Sequence, residues 1–173
     1  MKAKNILLTG PPGCGKSTLI EKFIRRTDRP LTGFFTRELR EQGRRVGFSI
    51  ITLAGKQGTL AHEISESRIR VGKYGVDVDD LDQVAVPSMI PSRPDEIVVI
   101  DEIGKMECCS PRFRETLLGV LNSQHRVVGS IAQKADPFIQ RIKERGDVLT
   151  VPISEQNRDS LVQVLVASIC RSV

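Results

Sequence analysis

Residues 10–18, Gly10-Pro11-Pro12-Gly13-Cys14-Gly15-Lys16-Ser17-Thr18, satisfy the spacing GxxxxGK[ST] at every fixed position. Glycines at this spacing let backbone N–H groups turn inward and approach phosphate oxygens closely. A helix opening at Lys16 adds the partial positive charge of its N-terminus. Lys16 is placed to reach the β- and γ-phosphates, Ser17 to hold Mg2+, and Thr18 to touch the α-phosphate. Pro11 and Pro12 stiffen the loop, which lowers the ordering cost of binding. Cys14 sits inside this electropositive loop, where a thiolate is favoured, so it is read either as filler or as a redox-sensitive position.

A second constellation follows a strand-like apolar run. Ile97-Val98-Val99-Ile100 leads into Asp101-Glu102, two carboxylates at a strand end. Beside a phosphate loop, Asp101 is suited to contact Mg2+ directly or through water. Glu102 is suited to orient or deprotonate a water in line with the γ-phosphate, so Glu102 and Lys16 are read as the catalytic pair. A small-molecule kinase must exclude water and present an acceptor instead, so the adjacent Glu favours hydrolysis. Gly104 would let the chain bend over a nucleotide, and Lys105 would bring positive charge to it. Glu107 is read either as a second acid near the metal or as a residue of the helix approach. Ser130 and Gln133 would sense the γ-phosphate if their strand lies between the other two. Arg37, Arg44, Arg45, Arg93 and Arg158 are all candidate arginine fingers, with Arg44 and Arg45 favoured because a protruding hairpin could close over a nucleotide.

The elements that must position these groups are legible in outline. Asn5–Thr9 reads as a buried strand, and Leu19, Ile20, Phe23 and Ile24 form a helical stripe from Lys16 to Arg26. Two runs, 33–40 and 46–53, flank Gln42-Gly43 as a β-hairpin, with a third strand near Thr59-Leu60. Residues 62–76 read as irregular. A short helix opens at Asp79 or Asp80 and is stopped by Pro87. Ser110-Pro111 and Asp136-Pro137 read as helix starts, leading to Asn122 and to Arg145-Gly146. Strands are expected at 126–131 and 148–151. Ser154 is read as capping a last helix with Leu161, Val162, Leu165 and Ile169 as its stripe. Strands alternating with helices argue an α/β layered fold with a mainly parallel sheet.

Composition limits the partners. Hydrophobic residues are 39% and charged residues 27%, which excludes a disordered chain. No apolar run approaches the ~18 residues of a membrane span, so no membrane partner is expected. With no secretory cleavage site after Met1-Lys2-Ala3-Lys4, the chain is expected to be cytoplasmic. A net charge of +5 suits an anionic partner. Aromatics are only 4%, with no Trp, which speaks against stacking platforms for single-stranded nucleic acid. Cys14, Cys108, Cys109 and Cys170 show no metal-ligand spacing with His62 or His125 and are expected to be free thiols.

The strings Gly-Pro-Pro-Gly-Cys-Gly-Lys-Ser-Thr (10–18), Gly-Phe-Phe-Thr-Arg-Glu (33–38), Arg-Arg-Val-Gly-Phe (44–48), Val-Ile-Asp-Glu-Ile-Gly-Lys-Met-Glu (99–107) and the closing 153–158 segment together resemble the THEP-type nucleoside-triphosphatases. The 101–107 string is far more specific than the phosphate loop. The resemblance covers nearly the whole chain. It implies one P-loop domain over 1–173, a three-layer α/β/α variant of the RecA-like fold with the 33–61 hairpin inserted. It further implies Mg2+-dependent hydrolysis of ATP, GTP and other nucleoside triphosphates to the diphosphate, with a permissive base pocket. A monomer without nucleic acid is expected, and no protein partner is indicated. Two rivals are a nucleoside or nucleotide kinase, for which no arginine-rich lid is evident, and a nucleic-acid-associated ATPase, for which the chain lacks room.

Overall fold

The described residues of the computed structural model are 3–134, 136–154 and 156–170, the side chains of 159 and 168–170 excepted. The readings that involve Glu155, Ile169 and Cys170 lie outside that set. Strand β1 (Asn5–Thr9) feeds helix α1 (Lys16–Arg26). There follow β2 (Leu31–Glu41), β3 (Arg44–Thr52), β4 (Gln57–His62), β5 (Arg70–Val71) and β6 (Tyr74–Val76). Helical segment α2 spans 78–88, then β7 (Ile97–Ile103), α3 (Pro111–Asn122) and β8 (Arg126–Ile131). The chain closes with α4 (Pro137–Lys143), β9 (Val148–Pro152) and α5 (Arg158–Cys170).

Among the described residues the strands form one sheet in the order β5-β6-β4-β3-β2-β7-β8-β1-β9. The half from β2 to β9 is parallel. Its strands bury both faces, so near-continuous apolar runs are expected. In β7, Ile97 and Val99 pack with Ile6, Leu8, Leu19, Ile20 and Phe23 beneath α1 and α5. Val98 and Ile100 face the other way, onto Leu7, Phe113, Leu117 and Ile139 beneath α3 and α4. Two cores on opposite faces make the three-layer α/β/α arrangement expected from the sequence. Each fully buried Leu, Ile or Phe contributes roughly 1.5–3 kcal/mol.

The other half is antiparallel and larger than the hairpin read from sequence. Leu31–Phe35 of β2 pairs with Ile97–Asp101 of β7, and β2 then runs on past the end of that ladder against β3. Gly33 allows this register: its φ is +111°, and a Cβ there would lie 1.9 Å from the Val99 carbonyl oxygen. The hairpin is no isolated arm, because β4, β6 and β5 continue the sheet beyond it. Two short strands, Arg70–Val71 and Tyr74–Val76, therefore interrupt the stretch expected to be irregular over 62–76, while 63–69 and 72–73 are irregular as expected.

Helix starts follow their local chemistry where the signal is strong. Ser110 Oγ accepts from the Phe113 N–H at 2.9 Å, and Asp136 Oδ1 from the Ile139 N–H at 2.9 Å, each ahead of a proline at the first helical position. Two expectations need correction. Pro87 does not stop α2, which continues to Ser88. The Val86 N–H bonds the Leu81 carbonyl in a π turn, and this wider spacing admits the proline ring. Nor does Ser154 cap α5. Asn157 bridges back to the Ser154 N–H at 2.9 Å and to the Pro152 carbonyl at 3.0 Å, and the helix begins after that turn, at Arg158. Among the described residues, no helix is long and apolar enough to cross a membrane.

Candidate active site

Every strand of the parallel half runs in the same direction, so the loops after β1, β7 and β8 emerge at one edge of the sheet. That edge carries the site. Between β1 and α1 the chain turns through Gly13 and Gly15, with φ of +77° and +100°, a region that only glycine enters at no steric cost. Lys16 Nζ folds back on the loop, donating to the Gly10 carbonyl at 2.9 Å and the Pro11 carbonyl at 3.2 Å. Pro11 and Pro12 are exposed at the loop crest. Cys14 is buried, its thiol turned into the core beneath α1. A thiol so placed gives no support to the redox reading; its Sγ packs against Gly10, where a Cβ would come within 2.8 Å of it.

Asp101 ends the apolar run of β7 and is almost wholly buried. It accepts hydrogen bonds from the hydroxyls of Ser130, on β8, and Ser17, at the start of α1. Burial is the dominant influence and holds its carboxyl above the ordinary carboxylate range, while the two hydroxyls and the Lys16 charge act in the opposite direction. Strand β8 does lie between β1 and β7, as the reading of Ser130 required. The Ser130 hydroxyl is nonetheless engaged by Asp101, so it supports that carboxylate instead of sensing a phosphate.

Glu102 is half-buried and faces a cleft of about 560 Å³, whose floor includes Gly10, Pro12 and Lys16. Burial, and then the Asp101 charge, push its carboxyl up; Lys16 and Lys143 pull it down. Lys143 was not singled out from sequence. It closes α4 with no motif around it, and Lys143 Nζ donates to the Gln133 carbonyl at 3.0 Å. Gly104, Lys105 and Gln133 also line the cleft. Its far wall is apolar, built from Phe48, Leu60 and Val71 of the antiparallel half.

Glu107 sits in the 3-10 turn Glu107–Cys109, buried but at the lining of the same cleft. Its carboxyl accepts from the Gly104 N–H and its own, and a Cβ on Gly104 would come within 2.8 Å of Glu107 Oε2 and 3.5 Å of Glu102 Oε1. Burial, aided by the charges of Glu102 and Asp101, raises its pKa from 4.5 to about 8. A carboxyl whose native pKa is raised stabilises the fold fully below pH 4.5 and loses that contribution as pH climbs through about 8. Asp101 and Glu102 shift in the same direction, so the contribution of Glu107 is read by difference. Wild type minus Glu107→Gln, measured as urea midpoints, is expected to fall steadily over that window; a flat difference would refute it.

The favoured arginines are committed elsewhere. Arg44 pairs with Glu63 at 2.5 and 2.7 Å, and Arg45 with Glu38 at 2.8 Å and Tyr74 at 3.1 Å. Arg37 lies 3.7 Å from Glu21 and Arg93 3.2 Å from Asp95. Arg158 is different, since its side chain lies over Gly15 of the phosphate loop. Cys14, Cys108 and Cys109 are free thiols, as expected. Among the described residues, no group of three or more His, Cys, Asp or Glu side chains is disposed to hold a metal. The oxygen donors Ser17 and Asp101 still fit a hard cation that keeps most of its ligands as water and phosphate oxygen. A buried carboxylate with two hydroxyl partners would be relieved by such a charge.

A family model described as NTPase matches residues 5–166. A nucleoside-triphosphatase THEP1 from a Thermotoga strain is 44% identical over 163 residues, covering 94% of this chain and 93% of the relative. The human cancer-related nucleoside-triphosphatase is 35% identical over 184 residues, covering 96% and 97%. The crystal structure of THEP1 from Aquifex aeolicus superposes with a TM-score of 0.87 at 31% identity, over 96% of this chain and 99% of that one.

Proposed function

The chain belongs to the THEP1-type nucleoside-triphosphatases, hydrolases that act on nucleoside triphosphates, and on that footing we propose a Mg2+-dependent enzyme that releases phosphate from ATP, GTP and other triphosphates alike. The observation that supports it is the meeting of two sequence segments at one sheet edge. Ser17 of the loop bonds Asp101 of the acid pair, and Lys16 and Glu102 face the same cleft.

In this reading the loop N–H groups and Lys16 hold the β- and γ-phosphates. Ser17 and Asp101 would hold Mg2+, which when bound neutralises charge on the phosphates. Glu102 aligns the attacking water and takes its proton. Its raised pKa suits that task, because a base works best with a pKa near the operating pH. Lys143 and Lys105 supply positive charge at the cleft. Transition-state stabilisation by these fixed charges carries most of the rate. The buried Ser130 hydroxyl keeps Asp101 in place.

Phosphate release from ATP, GTP, CTP and UTP, each with Mg2+ and with EDTA, tests the proposal. Rates within about tenfold of one another are expected, because recognition through phosphates and metal carries no base information and tenfold is about 1.4 kcal/mol. Chelation should abolish all four and excess Mg2+ restore them. Activity on a single base, activity in EDTA, or transfer of phosphate to an added nucleoside would each contradict it.

A further inference from the structure

The phosphate loop separates two cavities. The cleft described above opens on the side of Lys16 and Glu102. A second cavity, of about 200 Å³, opens on the other side and is lined by Gly15, Thr18, Leu19, Lys22, Arg158 and Val162. If the γ-phosphate end of a triphosphate lies toward Glu102, the α-phosphate end leaves the loop past Thr18, into this second cavity. From this arrangement we infer that the cavity between α1 and α5 receives the nucleobase, which stacks on the Arg158 guanidinium. The inference rests on the nucleotide reading of the loop and extends it to the base.

Several features suit Arg158 to that task. Its Cδ and Nη1 lie 3.4 and 3.7 Å from where a Gly15 Cβ would stand, so the absent side chain leaves room for the guanidinium over the loop. Among the described residues, the Arg158 side chain has no hydrogen-bond or ion-pair partner, unlike the four other candidate arginines. Its position is fixed from behind. Asn157 locks the turn that starts at Pro152 through bonds of 2.9 and 3.0 Å, and the Arg158 N–H bonds the Ser154 carbonyl at 3.1 Å. A planar guanidinium stacks on any aromatic face. Leu19 and Val162 form the apolar part of the walls, beside the polar side chains of Thr18 and Lys22. Stacking of this kind is tolerant of base identity because every base has a π-face. The proposed indifference to the base thus has a physical origin.

The test compares ligands with and without a base. Binding of the β,γ-imido analogues of ATP and GTP, and of inorganic tripolyphosphate, is measured by calorimetry with Mg2+ on wild type, Arg158→Ala and Arg158→Lys. Arg158→Ala is expected to weaken both nucleotide analogues about tenfold and to leave tripolyphosphate within about twofold. Arg158→Lys, which keeps the charge and loses the plane, should behave like Arg158→Ala. Equal weakening of tripolyphosphate would make Arg158 a phosphate ligand and overturn the inference, as would nucleotide binding untouched by either change. Wild-type protein that binds none of the three ligands would instead overturn the reading of the loop.

Discussion

Glu102→Gln is expected to bind Mg2+ and nucleoside triphosphate as wild type does while losing about 10²–10⁴ in the rate of phosphate release, the usual worth of a positioned general base. The substitution is nearly isosteric and leaves the cleft floor of Gly10, Pro12 and Lys16 intact. An amide can still donate to or accept from a water, but it cannot take the water's proton. Removing a carboxylate held above its ordinary pKa by burial also removes a desolvation cost, so the variant should fold at least as well. Wild-type activity should rise with pH as Glu102 deprotonates, and in the variant that rise should disappear. Single-turnover phosphate release beside analogue binding separates the two effects. A Glu102→Gln protein with normal release would remove Glu102 from the chemistry.

Lys16→Ala is expected to fail one step earlier, at binding. The Lys16 ammonium donates to the loop carbonyls of Gly10 and Pro11 at 2.9 and 3.2 Å. A triphosphate offers it far more negative charge at the same place. Each hydrogen bond to a charged group is worth about 1.5–3 kcal/mol, so loss of contacts to two phosphates should weaken binding about a hundredfold or more. Stability should change little, since the side chain is only half-buried and leaves the core beneath α1 untouched. Calorimetry with Mg2+ and a non-hydrolysable triphosphate checks the loss, and thermal unfolding of the same sample checks the fold. Undiminished affinity in a folded Lys16→Ala protein would contradict the assignment of the loop.

Much of the site was legible because its signals are local. The loop 10–18 specifies its own turn through Gly13 and Gly15, and the run 97–100 specifies a buried strand that carries Asp101 to the sheet edge. Ser110 and Asp136 announced their helices by side chains that reach the backbone three residues on. What sequence could not give depends on distant packing. Strands of two and three residues, such as Arg70–Val71 and Tyr74–Val76, are too short to show a period and exist only as partners in a larger sheet. The choice among arginines is decided by acids that strand pairing brings alongside them, Glu63 for Arg44 and Glu38 for Arg45. The burial of Glu107 and the engagement of Ser130 by Asp101 likewise arise only once β7 and β8 lie side by side. The start of the last helix is set by a turn that sequence does not show, in which Asn157 bonds back to Ser154 and Pro152 and the helix opens only at Arg158.

The convergence of the loop and the acid pair on one metal-bound triphosphate is tested most directly by replacing Mg2+ with Mn2+ and following its paramagnetic resonance with a non-hydrolysable triphosphate present. Wild type and Glu102→Gln should each show a protein-bound Mn2+ signal that appears only with the triphosphate, and Asp101→Asn should lose it. A signal indifferent to Asp101→Asn, or one that forms without the triphosphate, would mean that residues 10–18 and 101–102 do not share a ligand.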